Sequence, residues 1–331
     1  VVVGNTSMIH LFCGMSPRFL SRSPYNPLTA DALDIPSQEL GLKINPFGRV
    51  ISLPLVSGFI GSDTIGVVLS TGLHKSRVPR MAIDIGTNGE IVCTDGKKLL
   101  ASSCAAGPAF EGAHIQCGMR GTTGAIDQVC LSQGMIQYHV IDSVLPKGIC
   151  GSGLVDAVAE MLKAGIIAID GRLMSQDEIA NSPYAHLISR EQYNQFTLTV
   201  NDSKNPGQDV VITQRDIREL QLAKGAMRAG IKILMDELGL EKKDIREVYL
   251  AGGFGNYVRP ENALAIGLLP NFKNSKITQV GNAAGSGAKI VLLSAKTLKE
   301  AVKIAEKIEY IELAKVSDFQ QEFVKAMDFA T

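Results

Sequence analysis

The chain has 331 residues, 45% of them hydrophobic and 20% charged, enough for two domains or one bilobed fold around a normal core. Lys plus Arg equals Asp plus Glu at 33 each, so no overall field draws the chain to nucleic acid or to an anionic membrane surface. No apolar run reaches the length of a membrane span, no signal-peptide layout opens the chain, and the six scattered cysteines, without a CxxC pair, read as reduced cytosolic thiols, mostly in the core.

The chain opens on Val rather than Met, inside the β-branched run Val1–Gly4, and is expected to continue a longer protein upstream. Ser7–Leu11 starts a short helix capped by Thr6 or Ser7. Pro17–Asn45, rich in Pro, Asp, Ser and Asn, is expected to wander over the surface, and Val50–Val56 is at best an edge strand because of its Pro. A helix is predicted from about Asp63 to Leu73, with Asp63 in the first turn, where a carboxylate gains from the helix dipole. Lys75–Arg80 reads as a linker.

Met81–Glu90, MAIDIGTNGE, is the stretch around which the rest is organised. Met81–Ile85 is a buried strand whose one charge, Asp84, is costly to bury unless paired or bound to a metal. Gly86 and Gly89 permit a tight turn with exposed N–H groups, and Thr87 and Asn88 add side-chain donors. Glu90–Cys93 returns as a second strand. A strand that ends in an acid and a Gly/Thr turn suits a phosphate with its magnesium, the acid holding the metal's water shell. The unit lacks the Lys and following helix of a Walker loop, and an ordinary hairpin turn with a solvated Asp is the other reading of these residues.

Leu99–Cys104 is a further strand that ends in a close-packed turn, where Gly107 lets backbone approach a ligand and Glu111 is the ionisable group. Ala125–Leu131 and Met135–Ile141 form a hairpin. Gly148–Gly153 then opens a helix that Gly165 stops, and Gly151 and Ser152 at its start make a ready anion site, or a plain cap at Ser152. Residues 166–208 are polar and turn-rich, with a strand at Phe196–Val200 and a loop at Asn201–Gln208. Thr213 and Asp216 make a capping-box start for the longest helix, which runs to about Leu238 and places Lys224 mid-helix, where a solvated face is the default reading. Strand Glu247–Leu250 runs into Gly252, Gly253, Phe254 and Asn256, a double glycine against which a planar or phosphorylated ligand can lie flat. Gly281 and Asn282 repeat the theme ahead of a helix from about Ala288, and amphipathic helices follow at Thr297–Ile308 and Ser317–Phe329.

Together these turns resemble the actin, sugar-kinase and heat-shock-chaperone ATPase superfamily, in which two RNase H-like lobes enclose an ATP cleft. Ala82–Glu90 is similar to its second phosphate loop, Leu250–Asn256 to its adenosine loop, and Asp63–Leu73 and Gly281–Ala288 to its two connecting helices. More closely, DIGTNGE, AAGPAFEGAHIQCGMRG, GAI, GICGSGLVDAVAEML and AGGFGN, in that order, resemble the reductive activators of corrinoid proteins, over essentially the whole chain.

The resemblance implies an α/β, RNase H-like bilobed ATPase fold with its first lobe truncated at the N-terminus. Residues 1–78 would be the remainder of that lobe, 79–287 the second lobe with a peripheral insertion near 166–208, and 288–331 helices packing back on the first lobe. It implies ATP and Mg as ligands, with Asp63 and Asp84 as the catalytic acids and Asp84 holding Mg through water. Gly86, Thr87, Asn88, Gly89, Glu90, Gly107, Glu111, Gly151, Ser152, Lys224, Gly252, Gly253, Phe254, Asn256, Gly281 and Asn282 would line the nucleotide site. It further implies ATP-driven reduction of cob(II) to cob(I) on a partner corrinoid protein in methyl transfer, a homodimer, and an iron–sulfur cluster in a domain upstream of this chain. The family's first phosphate loop, DIGTT, is absent from this sequence. Two other readings fit the same motifs: a small-molecule kinase of the superfamily, and a nucleotide-sensing or dimerising docking domain without turnover.

Overall fold

The protein is described by a computed structural model that covers residues 1–199, 209–272 and 275–329. The strands in chain order are β1 (Leu33–Pro36), β2 (Arg49–Ser52), β3 (Arg80–Ile85), β4 (Gly89–Thr94), β5 (Leu99–Cys104), β6 (Ala125–Ser132) and β7 (Met135–Val140). They continue with β8 (Gly148–Ile149), β9 (Ile188–Arg190), β10 (Asn194–Thr199), β11 (Val210–Thr213), β12 (Glu247–Ala251), β13 (Lys276–Gly281) and β14 (Ile308–Tyr310). The helices are α1 (Thr6–Phe12), α2 (Ser62–Thr71), α3 (Gly151–Lys163), α4 (Gln214–Glu237), α5 (Gly252–Gly255), α6 (Pro260–Ala265), α7 (Ala283–Leu293), α8 (Ala295–Lys307) and α9 (Phe319–Lys325).

The central sheet has the order β13-β12-β3-β4-β5-β14. β3, β4 and β5 are an antiparallel meander, while β12 runs parallel to both β3 and β13. Side chains alternate across a strand, so each strand feeds two cores. Met81, Ile83, Ile91, Cys93, Val248 and Leu250 face the larger core, with α3 and α4. Ala82, Val92, Tyr249 and Ala251 face a smaller core with α2, α7 and α8. The same alternation puts Asp84 and Glu90 on the α2 side, opposite each other in register.

Helices α2 and α7 cross at small residues. A Cβ on Gly66 would fall 2.6 Å from the Ala284 carbonyl oxygen, and one on Gly287 would fall 2.2 Å from the Gly66 oxygen. Backbones this close hold the N-terminal segment against the sheet, which fixes where Asp63 stands. Smaller three-stranded sheets, β7-β6-β8 and β11-β10-β9, carry the residues between β5 and α4.

The observed elements correct several sequence expectations. Asn5, not Thr6 or Ser7, caps α1 by accepting from the Met8 N–H. The expected surface segment contains β1, which pairs with β2 over four residues, so this edge has a partner. Helix α3 begins from Cys150 with no side-chain cap, which leaves Ser152 inside the first turn. The α4 capping box forms as expected between Thr213 and Asp216. Helix α7 starts at Ala283 rather than Ala288, because Asn282 caps it by accepting from Gly285. Ile308, expected at a helix end, opens β14 beside β5, and α9 packs on α4, so the C-terminal segment contacts the sheet's own layers as well as α2. Within the strand predicted at Phe196–Val200, residues up to Thr199 lie in β10; Val200 and the loop at Asn201–Gln208 lie outside the described residues.

Candidate functional site

Asp84, the penultimate residue of β3, pairs in register with Ala251, the last residue of β12. The two strands therefore deliver their turns, Gly86–Gly89 and Gly252–Gly255, side by side at one end of the sheet. Gly252 has φ +89°, and a Cβ there would lie 2.4 Å from Asp84 Oδ1 and 2.6 Å from the Ile85 oxygen. Only glycine meets both demands. Gly89 is closed on its other side: a Cβ there would collide with the Met227 side chain of α4.

Asp84, Glu90 and Asp63 form a carboxylate cluster on the α2 side. Burial, and then the charge of Asp63, pushes the Asp84 carboxyl up to about 6. Burial, then Asp63 and Asp84, pushes Glu90 up to about 8, while Ser103 Oγ donates to it at 3.4 Å. Asp63 is raised by burial against the opposing hydrogen bond from the Thr64 N–H, 2.8 Å. Among the described residues none of the three acids forms an ion pair. Nor, among those residues, does any group of three or more His, Cys, Asp or Glu stand where it could hold a metal ion directly. Half-buried, mutually repelling carboxylates without a counter-charge fit a cation that keeps its water shell.

On the other side of the phosphate-loop candidate lies a cleft of about 450 Å³, lined by Gly86, Glu111, Gly151, Ser152, Gly253 and Phe254. Thr87 Oγ1 donates to Glu111, which ties the loop to the turn after β5. Phe110 stacks on Phe254 with ring centroids 4.5 Å apart and forms an apolar wall. Gly151 and Ser152 bring the uncapped start of α3 to the rim, where backbone N–H groups lack partners within the helix. Gly253 is exposed, and a Cβ there would meet nothing within 4 Å, so the space over the double glycine is open.

Other expected residues stand around this end of the sheet without lining the cleft. Asn88 is exposed beside Thr87, and its carbonyl accepts from the Gly86 N–H at 3.0 Å. Gly107, with φ +76°, precedes the 3-10 turn Pro108–Glu111. The Asn256 carbonyl accepts from Gln279 Nε2 at 3.0 Å, and a Cβ on neighbouring Gly281 would lie 3.6 Å from Asn256 Oδ1. Asn282 is occupied in capping α7.

Lys224 is not brought to this cleft. It is 1% exposed, so its default reading as a solvated lysine is overturned. Its amine donates to the Asp328 carbonyl and sits 5.2 Å from the Phe329 ring centroid, in a different cavity. Six residues that line the cleft were not among the expected site residues: Ile85, Phe110, Arg120, Gly121, Cys150 and Tyr257. Arg120 lay within the quoted GMRG run, and Tyr257 directly follows Asn256; neither has a local pattern that marks it as facing a cleft.

Comparison with known proteins places these features in one family. The family model described as "RACo middle region" matches residues 1–76, and that described as "C-terminal domain of RACo the ASKHA domain" matches residues 79–331. The chain is similar to corrinoid activation enzyme RamQ of Eubacterium limosum, with 39% identity over 326 residues, 98% of this chain and 55% of that protein. It is 27% identical over 363 residues to a [Co(II) methylated amine-specific corrinoid protein] reductase of Methanosarcina barkeri, covering all of this chain and 62% of that protein. Among solved structures, a reductive activator for corrinoid,iron-sulfur protein superposes with a TM-score of 0.88 at 38% identity, over 99% of this chain and 52% of that one. The chain thus spans little more than half the length of the relatives it matches. Its fold is the actin-like, RNase H-like ATPase class expected from the motifs.

Proposed function

Because this chain belongs to the RACo family, spanning its middle region and its C-terminal ASKHA domain, we propose that it is the ATPase-like part of a reductive activator of a corrinoid protein. In the complete protein, ATP and water yield ADP and phosphate. One electron, from an iron–sulfur donor outside this chain, then converts cob(II) to cob(I) on the partner. The nucleotide's role is to drive lobe closure, a two-state change that alters cobalt ligation so that the electron is trapped. Residues 1–78 belong to the first lobe and 79–287 to the second, with 288–331 bridging back, and the activator works as a homodimer in the cytoplasm.

The observation that carries this reading is the meeting of Asp84 and Gly252 at the adjoining ends of β3 and β12. Gly86, Thr87, Asn88 and Gly89 clasp the phosphates through N–H and hydroxyl donors, and the start of α3 at Gly151 and Ser152 adds its partial positive charge. Gly252, Gly253 and Phe254 face the adenosine, and Glu111 stands in position to accept hydroxyl hydrogens. Asp84, with Glu90 behind it, would hold magnesium through its water shell, and the ion would supply positive charge to the phosphates. Asp63 orients the attacking water. Asn256, Gly281, Asn282 and Gly107 shape the turns around these groups.

The test is spectroscopic. The full-length protein, a low-potential reductant, ATP with magnesium and a cob(II) corrinoid protein are mixed, and the cob(I) spectrum is followed. Cob(I) is expected only with ATP, and Asp84→Ala abolishes the ATP-dependent activation while the circular dichroism stays native. Equal activation by Asp84→Ala would take Asp84 out of the mechanism.

A further inference from the structure

A second cavity of about 450 Å³ lies along α4, away from the cleft, and five of its lining side chains are cationic: Lys224, Arg228, Lys232, Lys242 and Lys325. Two carboxylates, Glu322 and Asp328, also line it. Lys325 is taken by Glu322 at 2.9 Å, and Lys232 by Asp236 one turn along the helix. Among the described residues Arg228 and Lys242 have no ion pair. Among the described residues Lys224 donates to the Asp328 backbone carbonyl, lies over the face of Phe329, and has its charge partly offset by the Asp328 carboxylate.

Three of these cations, Lys224, Arg228 and Lys232, recur at every fourth residue of α4, a spacing at which like charges repel. Burial and the nearby Arg228 push the Lys224 amine down to about 7, and burial lowers Arg228 as well. Such an array is costly unless something anionic shares it. The walls are built rather than loose. The Phe329 N–H donates to the Ile169 carbonyl at 2.8 Å, and Gln221 Nε2 donates to the Met327 carbonyl at 2.9 Å, so the C-terminal segment is pinned over the helix. A guanidinium without a carboxylate partner is suited to bidentate capture of a phosphoryl group.

We propose that this cavity binds a small phosphoryl-bearing polyanion, held by the Arg228 guanidinium with Lys242 and the Lys224 amine. The volume and the number of free cations favour a species of di- or triphosphate size over a single orthophosphate. The site is separate from the cleft and does not depend on what the cleft binds. Met227, the residue before Arg228, packs on Gly89, so one turn of α4 touches both the cavity and the loop after β3.

The experiment is calorimetric titration of the full-length protein with inorganic pyrophosphate in magnesium-free buffer, with citrate as a polyanion that lacks phosphorus. Arg228→Gln is expected to weaken pyrophosphate about tenfold, and the exposed-site variant Lys242→Gln, which does not threaten the fold, about threefold. Arg120→Gln, in the cleft, is expected to leave the affinity unchanged. Loss in Arg120→Gln with retention in both α4-side variants would place the anion in the cleft and overturn the proposal. Citrate binding as tightly as pyrophosphate would overturn the phosphoryl assignment.

Discussion

Gly252 lies so close against Asp84 that a Cβ on the glycine would stand 2.4 Å from the carboxylate Oδ1, at a backbone φ of +89°. The glycine after β12 therefore sets the position of the acid near the end of β3. Gly252→Ala forces either the loop or the carboxylate aside, at a cost of about 1–3 kcal/mol in stability. Thermal unfolding should register the loss, and calorimetry should show ATP–magnesium affinity down at least about tenfold, since a displaced acid no longer serves the ion. A variant with native melting and native affinity would mean the close approach has no consequence.

The carboxylate cluster gives a pH signature. Asp84 and Glu90 are raised to about 6 and about 8, so between the ordinary carboxylate range and pH 8 the folded state holds more protons than the unfolded one. Stability from these groups therefore falls as pH rises through those values. Lys224, lowered to about 7, has the opposite slope above neutrality. The diagnostic is thus a difference: Asp84→Asn should raise the melting temperature of the nucleotide-free protein at pH 8 by a few degrees, with the gain shrinking as pH falls and vanishing below about pH 4. Identical melting of the two proteins across that range would show that Asp84 carries no buried charge.

The α2–α7 crossing should resist any added side chain. Gly66→Ala improves intrinsic helix propensity by about 1 kcal/mol, yet its Cβ would fall 2.6 Å from the Ala284 oxygen. The clash is with backbone, so a net destabilisation of about 1–3 kcal/mol is expected in denaturant unfolding. A stabilised variant would show that the helices do not pack this closely.

Phe254 contributes a ring that is part core and part cleft wall, stacked on buried Phe110. Phe254→Ala should cut ATP affinity about tenfold through the lost adenosine face, with a modest fall in melting temperature. Phe254→Tyr, which keeps the ring, should bind as the native protein does. Binding insensitive to both changes would remove the aromatic wall from the site.

The sequence was most legible where a local rule has no competitor. The hairpin around Asp84 followed from a short apolar run that ends in Gly-Thr-Asn-Gly, and α4 followed from its capping box. The sharing of one sheet end by Asp84 and Gly252 was inferred from order alone, because β12 is inserted beside β3 from more than 160 residues away and no local signal encodes that pairing. Elements that depend on a distant partner were missed: β1 exists because β2 covers it, and β14 because β5 offers an edge. Lys224 misled for a related reason. Its helical position reads as solvated, and only the C-terminal segment folding over α4 buries it. Conversely, the acid cluster on one face was implicit in strand alternation, but Asp63 joins it only because small residues let α2 approach.

The central claim is that the turns after β3 and β12, with the acids behind them, make one magnesium-dependent nucleotide site. The most direct measurement is calorimetric titration of the full-length protein with ATP, with and without magnesium, for the native sequence and Asp84→Asn. The account predicts that magnesium tightens native binding by at least about tenfold and has no effect on Asp84→Asn. Magnesium-dependent binding of equal strength in both proteins would contradict it.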